Sequence, residues 1–206
     1  MKLQLNFETF GAIGAIVVSV VALFVAWDQA VVMRQQQHAA VWPIMSVDFT
    51  INQTEDFNTV ELISSNAGVG PAIIMSATPT MGSDVVARWD DLKVALFGED
   101  FELPAQVSMS SAIGVMAVGE EAQVLAINWA RGEEGDAAMM SLVQRIVGGT
   151  FDEVGLELCY CSVFDRCWVA GRPDLDFPEQ VNGCEASGDF IDTFFVEENV
   201  EPGGEQ

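Results

Sequence analysis

Apolar residues follow two regimes along this chain. From Phe10 to Trp27 it reads FGAIGAIVVSVVALFVAW, a run without a charge. As a helix rising about 1.5 Å per residue, this run extends about 27 Å, enough to cross the hydrocarbon of a bilayer. Hydrocarbon offers no partner to a free backbone N–H or C=O, so a crossing segment of this kind has to be helical. Trp27 closes the run, where an amphipathic ring favours the headgroup level, and Asp28 begins the return to water. The helical pattern continues through Ala30, Val31, Val32, Met33, Arg34 and Gln35 to Gln37 as a stalk. It is expected to stop before Pro43, which lacks an N–H and disfavours helix in the residue before it.

Beyond Pro43 the period becomes two. Ile44, Ser46, Asp48 and Thr50 alternate with Met45, Val47, Phe49 and Ile51, the pattern of a half-buried strand. Further strands are predicted at 60–64, 72–77, 106–110, 123–129, 154–161 and 167–170. Two stretches return to helical spacing. Over 84–97, Trp89, Leu92 and Leu96 share a face; over 136–147, Ala138, Met139, Leu142, Val143 and Ile146 do so before Gly148 and Gly149 end the run. Seven short strands with turns between them predict a mainly-β sandwich with two inserted helices, carried on a single transmembrane helix and stalk. The organisation read from the sequence is a cytoplasmic N-terminus over 1–9, a transmembrane helix over 10–27, a stalk over 28–42, the β domain over 43–171 and a partly docked acidic tail over 172–206.

Charge reinforces this division. The 206 residues carry a net charge of −23, and in the first 43 residues Lys2 and Arg34 cancel Glu8 and Asp28. The acidity therefore belongs to the β domain and tail, which disfavours nucleic acid and anionic lipid as partners of that part. A solvated exterior explains the acids most simply. The tail acids Asp174, Asp176, Glu179, Glu185, Asp189 and Asp192 lack a regular calcium-loop pattern, so calcium binding there is expected to be weak. Phe190, Ile191, Phe194 and Phe195 are expected to dock on the domain, and the final ENVEPGGEQ to be mobile.

Four cysteines lie close together in the sequence, in LCYCSVFDRCWVAG and at Cys184. The first segment reads as a hairpin turning at Phe164 and Asp165. Cys159 and Cys161 project from one strand face and are poorly placed to bond to each other. Of the three connectivities, Cys161 with Cys167 and Cys159 with Cys184 is preferred. The irregular spacing fits zinc poorly, and a redox centre would show C-x-x-C at a helix start. Structural disulfides fit an oxidising compartment, which sets the N-terminus inside and the domain outside the cytoplasm, since the flanking charges leave orientation weakly encoded. An anchor is favoured over a cleaved signal peptide, because the run is longer than an h-region, only Lys2 precedes it, and no small-x-small site ends it.

Residues 66–72 read NAGVGPA, and Gly119, Glu120 and Glu121 form a later turn into a strand. Strand, N-x-G-x-G-P-A turn, strand and G-E-E turn resemble Ig-like β-sandwich domains of bacterial surface proteins. With Trp42 and Pro43 ahead of them, they also resemble membrane-anchored bacterial proteins that lead from a helix into such a domain. The resemblance covers most of 43–171, implies a fold and places the chain in a bacterial inner membrane with a periplasmic or extracellular domain. It carries no catalytic residue across. As a phosphate loop the glycine cluster is unsuitable, because neither a helix nor a lysine follows it. Gly68 and Gly70 are expected to supply backbone angles that other residues avoid.

No nucleophile with a base, no metal cluster and no acid pair in an apolar cleft is signalled. The one histidine, His38, falls on the stalk, away from any acid or thiol. No catalytic residue, cofactor or metal site is assigned. Ala12, Ala15, Ser19, Ala22 and Ala26 recur at steps of three and four and line one stripe of the anchor, where helices can approach closely. The chain is therefore expected to be a non-enzymatic, membrane-tethered module that associates with itself or with other membrane-protein subunits, touching lipid through residues 10–27. A divalent-cation or ligand-binding envelope sensor, and a thiol-redox or metal-binding protein, are the alternatives.

Overall fold

The computed structural model describes residues 7–194 apart from 83, 100, 150, 152–153, 173–174 and 187–189. The expectations for residues 1–6, Asp174, Asp189, Phe195 and the ENVEPGGEQ end lie outside the described residues, as does the side chain of Asp192. The chain divides into two units, one ending at Ala40 and the other beginning at Val41.

The first unit is a single helix, α1 (Phe7–Ala40). The segment Phe10–Ala40 is long and apolar enough to cross a membrane, with a mean hydropathy of 2.5. Its apolar side chains are exposed, from Phe10 through Trp27.

The second unit is mainly antiparallel β. One sheet has the order β1 (Met45–Gln53), β2 (Phe57–Asn66), β7 (Glu121–Ala130), β5 (Ala105–Met109). The other runs β10 (Glu179–Val181), β9 (Cys167–Ala170), β8 (Val154–Cys161), β3 (Ala72–Met81), β4 (Asp84–Val85), with β6 (Gly114–Met116) also paired to β3. Two helices are inserted, α2 (Trp89–Phe97) and α3 (Glu133–Val147), and a single turn, α4 (Ile191–Phe194), follows β10. The β surface curves like half a barrel, and the strand order does not single out an Ig-like sandwich.

Alternation builds one core from both sheets. Val60 and Leu62 of β2 and Ile127 and Trp129 of β7 meet Ile74 of β3 and Leu156, Leu158 and Tyr160 of β8. Leu92 and Leu96 of α2, Met139 and Leu142 of α3 and Phe194 of α4 close it. Burying each such side chain contributes about 1.5–3 kcal/mol before the entropy of ordering it is counted. Trp129 is edge-on to Phe97 and Phe101, with centroids 5.0 and 6.2 Å away, and its indole N–H donates to Gly135 O at 3.0 Å. Arg145 of α3 donates to Ala95 O at 3.1 Å and also to Leu96 O. It thus sets a cation on the carbonyls at the C-terminal end of α2, the negative end of that helix's dipole.

Three expectations need correcting. The helix predicted over 84–97 begins only at Trp89, because Asp84 and Val85 fold back to pair with Met81 and Thr80 beyond Gly82, whose φ is 56°. The helix predicted from Asp136 begins earlier, at Glu133, where Glu133, Glu134 and Asp136 place negative charge against its N-terminal dipole. Gly68 and Gly70 do not adopt positive φ. They are required by close approach instead, since a Cβ on Gly68 would overlap Ile44 N and Trp42 O, and one on Gly70 would overlap Val41 O.

Candidate functional site

The antiparallel registers bring many chain ends to one place. Met45 at the start of β1 faces Asn66 at the end of β2, and Ser65 faces Glu121 at the start of β7. Ala72 and Ile73 at the start of β3 face Met116 of β6 and Cys161 of β8, and Cys161 faces Cys167 of β9. The chain enters the domain at this same end, through Val41 to Ile44.

Asn66 holds this end together. Its side chain is buried, and its Oδ1 accepts from Gly68 N at 3.0 Å and Ile44 N at 3.4 Å. Its Nδ2 donates to Gly70 O at 3.0 Å and Met116 O at 3.2 Å. Its backbone pairs with Glu120 O and Gly119 N. One residue, through its side-chain amide and its backbone, thus ties the entering chain, the NAGVGPA turn, β6 and the GEE turn into one body. A buried amide with this many partners is stabilising as a set and costly to leave half-satisfied.

The turns so fixed present apolar side chains to solvent. Val69, Val115 and Val118 are exposed with Trp42, over a range from 44% at Trp42 to 71% at Val115, and Val163 and Phe164 are exposed on the separate hairpin between β8 and β9. Val69 N donates to Trp42 O at 2.9 Å, so the tip of the turn is held against the entering chain. This rim was missed in the sequence reading. The available signal was a valine between two glycines in NAGVGPA and another valine just before the GEE turn, where turn tips ordinarily carry polar residues.

The sequence-selected helix residues Ala12, Ala15, Ser19, Ala22 and Ala26 are all exposed on α1. Ser19 Oγ donates to Ala15 O at 2.7 Å, so its hydroxyl is satisfied within the helix and leaves the stripe slender.

The cysteines form two bridges, Cys159–Cys184 and Cys161–Cys167, and none is free. Cys159 and Cys161 alternate outward on β8 between the buried Leu158, Tyr160 and Ser162. Among the described residues, the ligating groups that gather within 4.8 Å of one another are Cys161, Cys167 and Cys184, and no carboxylate trio does so. Asp176, Glu179 and Glu185 therefore do not converge on one point.

A groove of about 250 Å³ lies between β1 and the chain after β9, lined by Ser46, Val47, Gly155, Gly171, Arg172 and Phe177. Arg172 Nη1 is 3.4 Å from Glu157 Oε2, a neutralised pair beside it.

Displaced titrations lie elsewhere and have structural causes. Burial pushes the Tyr160 hydroxyl up to about 12, opposed by the Met45 N–H that it accepts at 3.4 Å. Arg131 and then Asn58 hydrogen-bond Asp136 and hold its carboxyl below the usual range.

A long apolar helix near the N-terminus, a mainly antiparallel β domain and two disulfides define the class. The chain belongs to the family described as Domain of unknown function (DUF8453), whose profile matches residues 10–153. The match takes in most of α1, both inserted helices and β1 to β7, and ends before the four cysteines. No curated protein and no solved structure matches the chain.

Proposed function

We propose that this protein is a membrane-tethered interaction module without enzymatic activity. In this reading α1 is retained as a single-pass anchor in a bacterial inner membrane, and the domain, an outlying Ig-like sandwich, stands in the periplasm or outside the cell. The two disulfides support a location outside the cytosol. The observation that carries the proposal is the apolar rim of Trp42, Val69, Val115 and Val118, joined to a buried Asn66 network at the end where the chain enters the domain, with Phe164 exposed on the β8–β9 hairpin. Exposed apolar side chains grouped on rigid turns suit contact with another protein, here a second copy or another membrane subunit. The small-residue stripe on α1 offers that partner a second contact within the bilayer.

Two substitutions test this. Val69→Asp and Val115→Asp place charge on the rim without touching the core. Each is expected to lower recovery of partner or second copy in crosslinking of intact membranes about tenfold, with an unchanged melting temperature. Unchanged crosslinking in both variants contradicts the reading. Carbonate extraction and the mass of the mature N-terminus test the anchor. A chain that washes off, or that has lost residues 1–27, overturns it.

A further inference from the structure

The two disulfides are placed to exchange partners. Cys161 and Cys167 are register partners across β8 and β9. On the other side of β9, Val181 of β10 is the register partner of Cys167, and Cys184 follows three residues later. The tail thus returns across β9 to reach Cys159, the neighbour of Cys161 on the outward face of β8. As a result Cys184 Sγ lies within 4.8 Å of both Cys161 Sγ and Cys167 Sγ while bonded to Cys159. Access grades the sulfurs, since Cys159, Cys161 and Cys184 are half-buried and Cys167 is 4% exposed.

We propose that these four sulfurs are a thiol–disulfide exchange site that passes two electrons from an external dithiol to the inner bridge. The dithiol first reduces Cys159–Cys184. Its own two sulfurs become a disulfide, and two electrons and two protons arrive as the Cys159 and Cys184 thiols. Cys184, as the thiolate, then attacks Cys161. A Cys184–Cys161 bond forms, the Cys161–Cys167 bond breaks, and the electron pair leaves on Cys167, which takes up the proton. The Asp165 carbonyl oxygen stands 3.8 Å from Cys167 Sγ and accepts from the thiol so formed. Attack by Cys159 on Cys184 then restores the outer bridge and releases Cys161, leaving Cys161 and Cys167 as the reduced pair. Overall the chain gains two electrons and two protons from the dithiol, and the internal exchange only moves them from the outer pair to the inner pair. It opens the loop that carries Val163 and Phe164 while the tail stays pinned.

The test uses the full chain in detergent. In Cys159→Ser, Cys184 is left free beside the Cys161–Cys167 bridge. The variant is held at a pH of about 8, quenched in acid, alkylated and digested after Arg166 and Glu179, which separates the segments holding Cys161, Cys167 and Cys184. The expected map contains a Cys161–Cys184 link in about a tenth of the molecules or more, with Cys167 alkylated. A map showing only Cys161–Cys167, with Cys184 fully alkylated, overturns the proposal. Should that variant fail to fold, wild-type chain treated with one equivalent of dithiothreitol decides the matter. Reduced Cys161 and Cys167 beside an intact Cys159–Cys184 bridge supports exchange. Reduction that stays on Cys159 and Cys184 at every time point refutes it.

Discussion

Asn66 gives up all contact with water and in return satisfies two N–H groups and two carbonyls from three separate segments. Replacing it with alanine leaves those groups buried without partners, and Asn66→Ala is expected to cost about 2–4 kcal/mol in denaturant unfolding of the full chain. Gly70→Ala is expected to cost about 1–3 kcal/mol in the same assay, because its methyl has to displace the Val41 backbone. Tyr160 offers an optical test, since it is the one tyrosine in the chain. Its hydroxyl is held neutral up to about 12 against an ordinary 10.0, so the unfolded chain gives up this proton first. The stability this group confers is full below the ordinary value and is lost as pH climbs toward the folded one. Tyrosinate absorbance should therefore rise near pH 12 in the folded protein, and near 10 if the ring were solvated. At this scale the sequence was only partly legible. NAGVGPA announced a turn, but the partners of the Asn66 side chain lie up to 50 residues away, and no local signal marks them. The glycines were noted for their conformational freedom, whereas the fold uses their lack of a side chain.

At the scale of elements, legibility follows burial. Strands with a clean buried face, such as β8 with Leu156, Leu158 and Tyr160 inward, stand out by alternation. The short strands β4, β6 and β10 carry no usable period and exist because a neighbouring long strand offers an edge. Helix α3 began three residues earlier than expected because its opening acids gain from the helix dipole without contributing to the apolar stripe. For α1 the small-residue face makes a prediction about association. Ala15→Ile and Ala22→Ile keep the helix apolar but widen that face, and each is expected to reduce self-association in lipid vesicles about tenfold. Val17→Phe, on another face, is expected to leave it unchanged. Energy transfer between labelled copies of the full chain reads the difference, and equal association in all three variants would remove the face from the account.

At the scale of the whole molecule, an apolar helix and an acidic β domain divide the chain's charge and hydropathy between two units. The family match runs from residue 10 to residue 153, so it takes in most of the helix together with the domain as far as β7 and α3. This division was legible from composition alone. The apolar rim was not, because it is assembled from segments as far apart in the chain as Trp42 and Phe164 and exists only once the registers are set. In the proposed function the rim holds a partner and the helix face adds a contact to it. Native mass spectrometry of the intact chain, extracted gently from its own membranes, tests it most directly. The expected result is a defined species heavier than the monomer, either a multiple of the chain or the chain with a co-purifying membrane subunit, which Val69→Asp depletes. A monodisperse monomer with no co-purifying protein would contradict it.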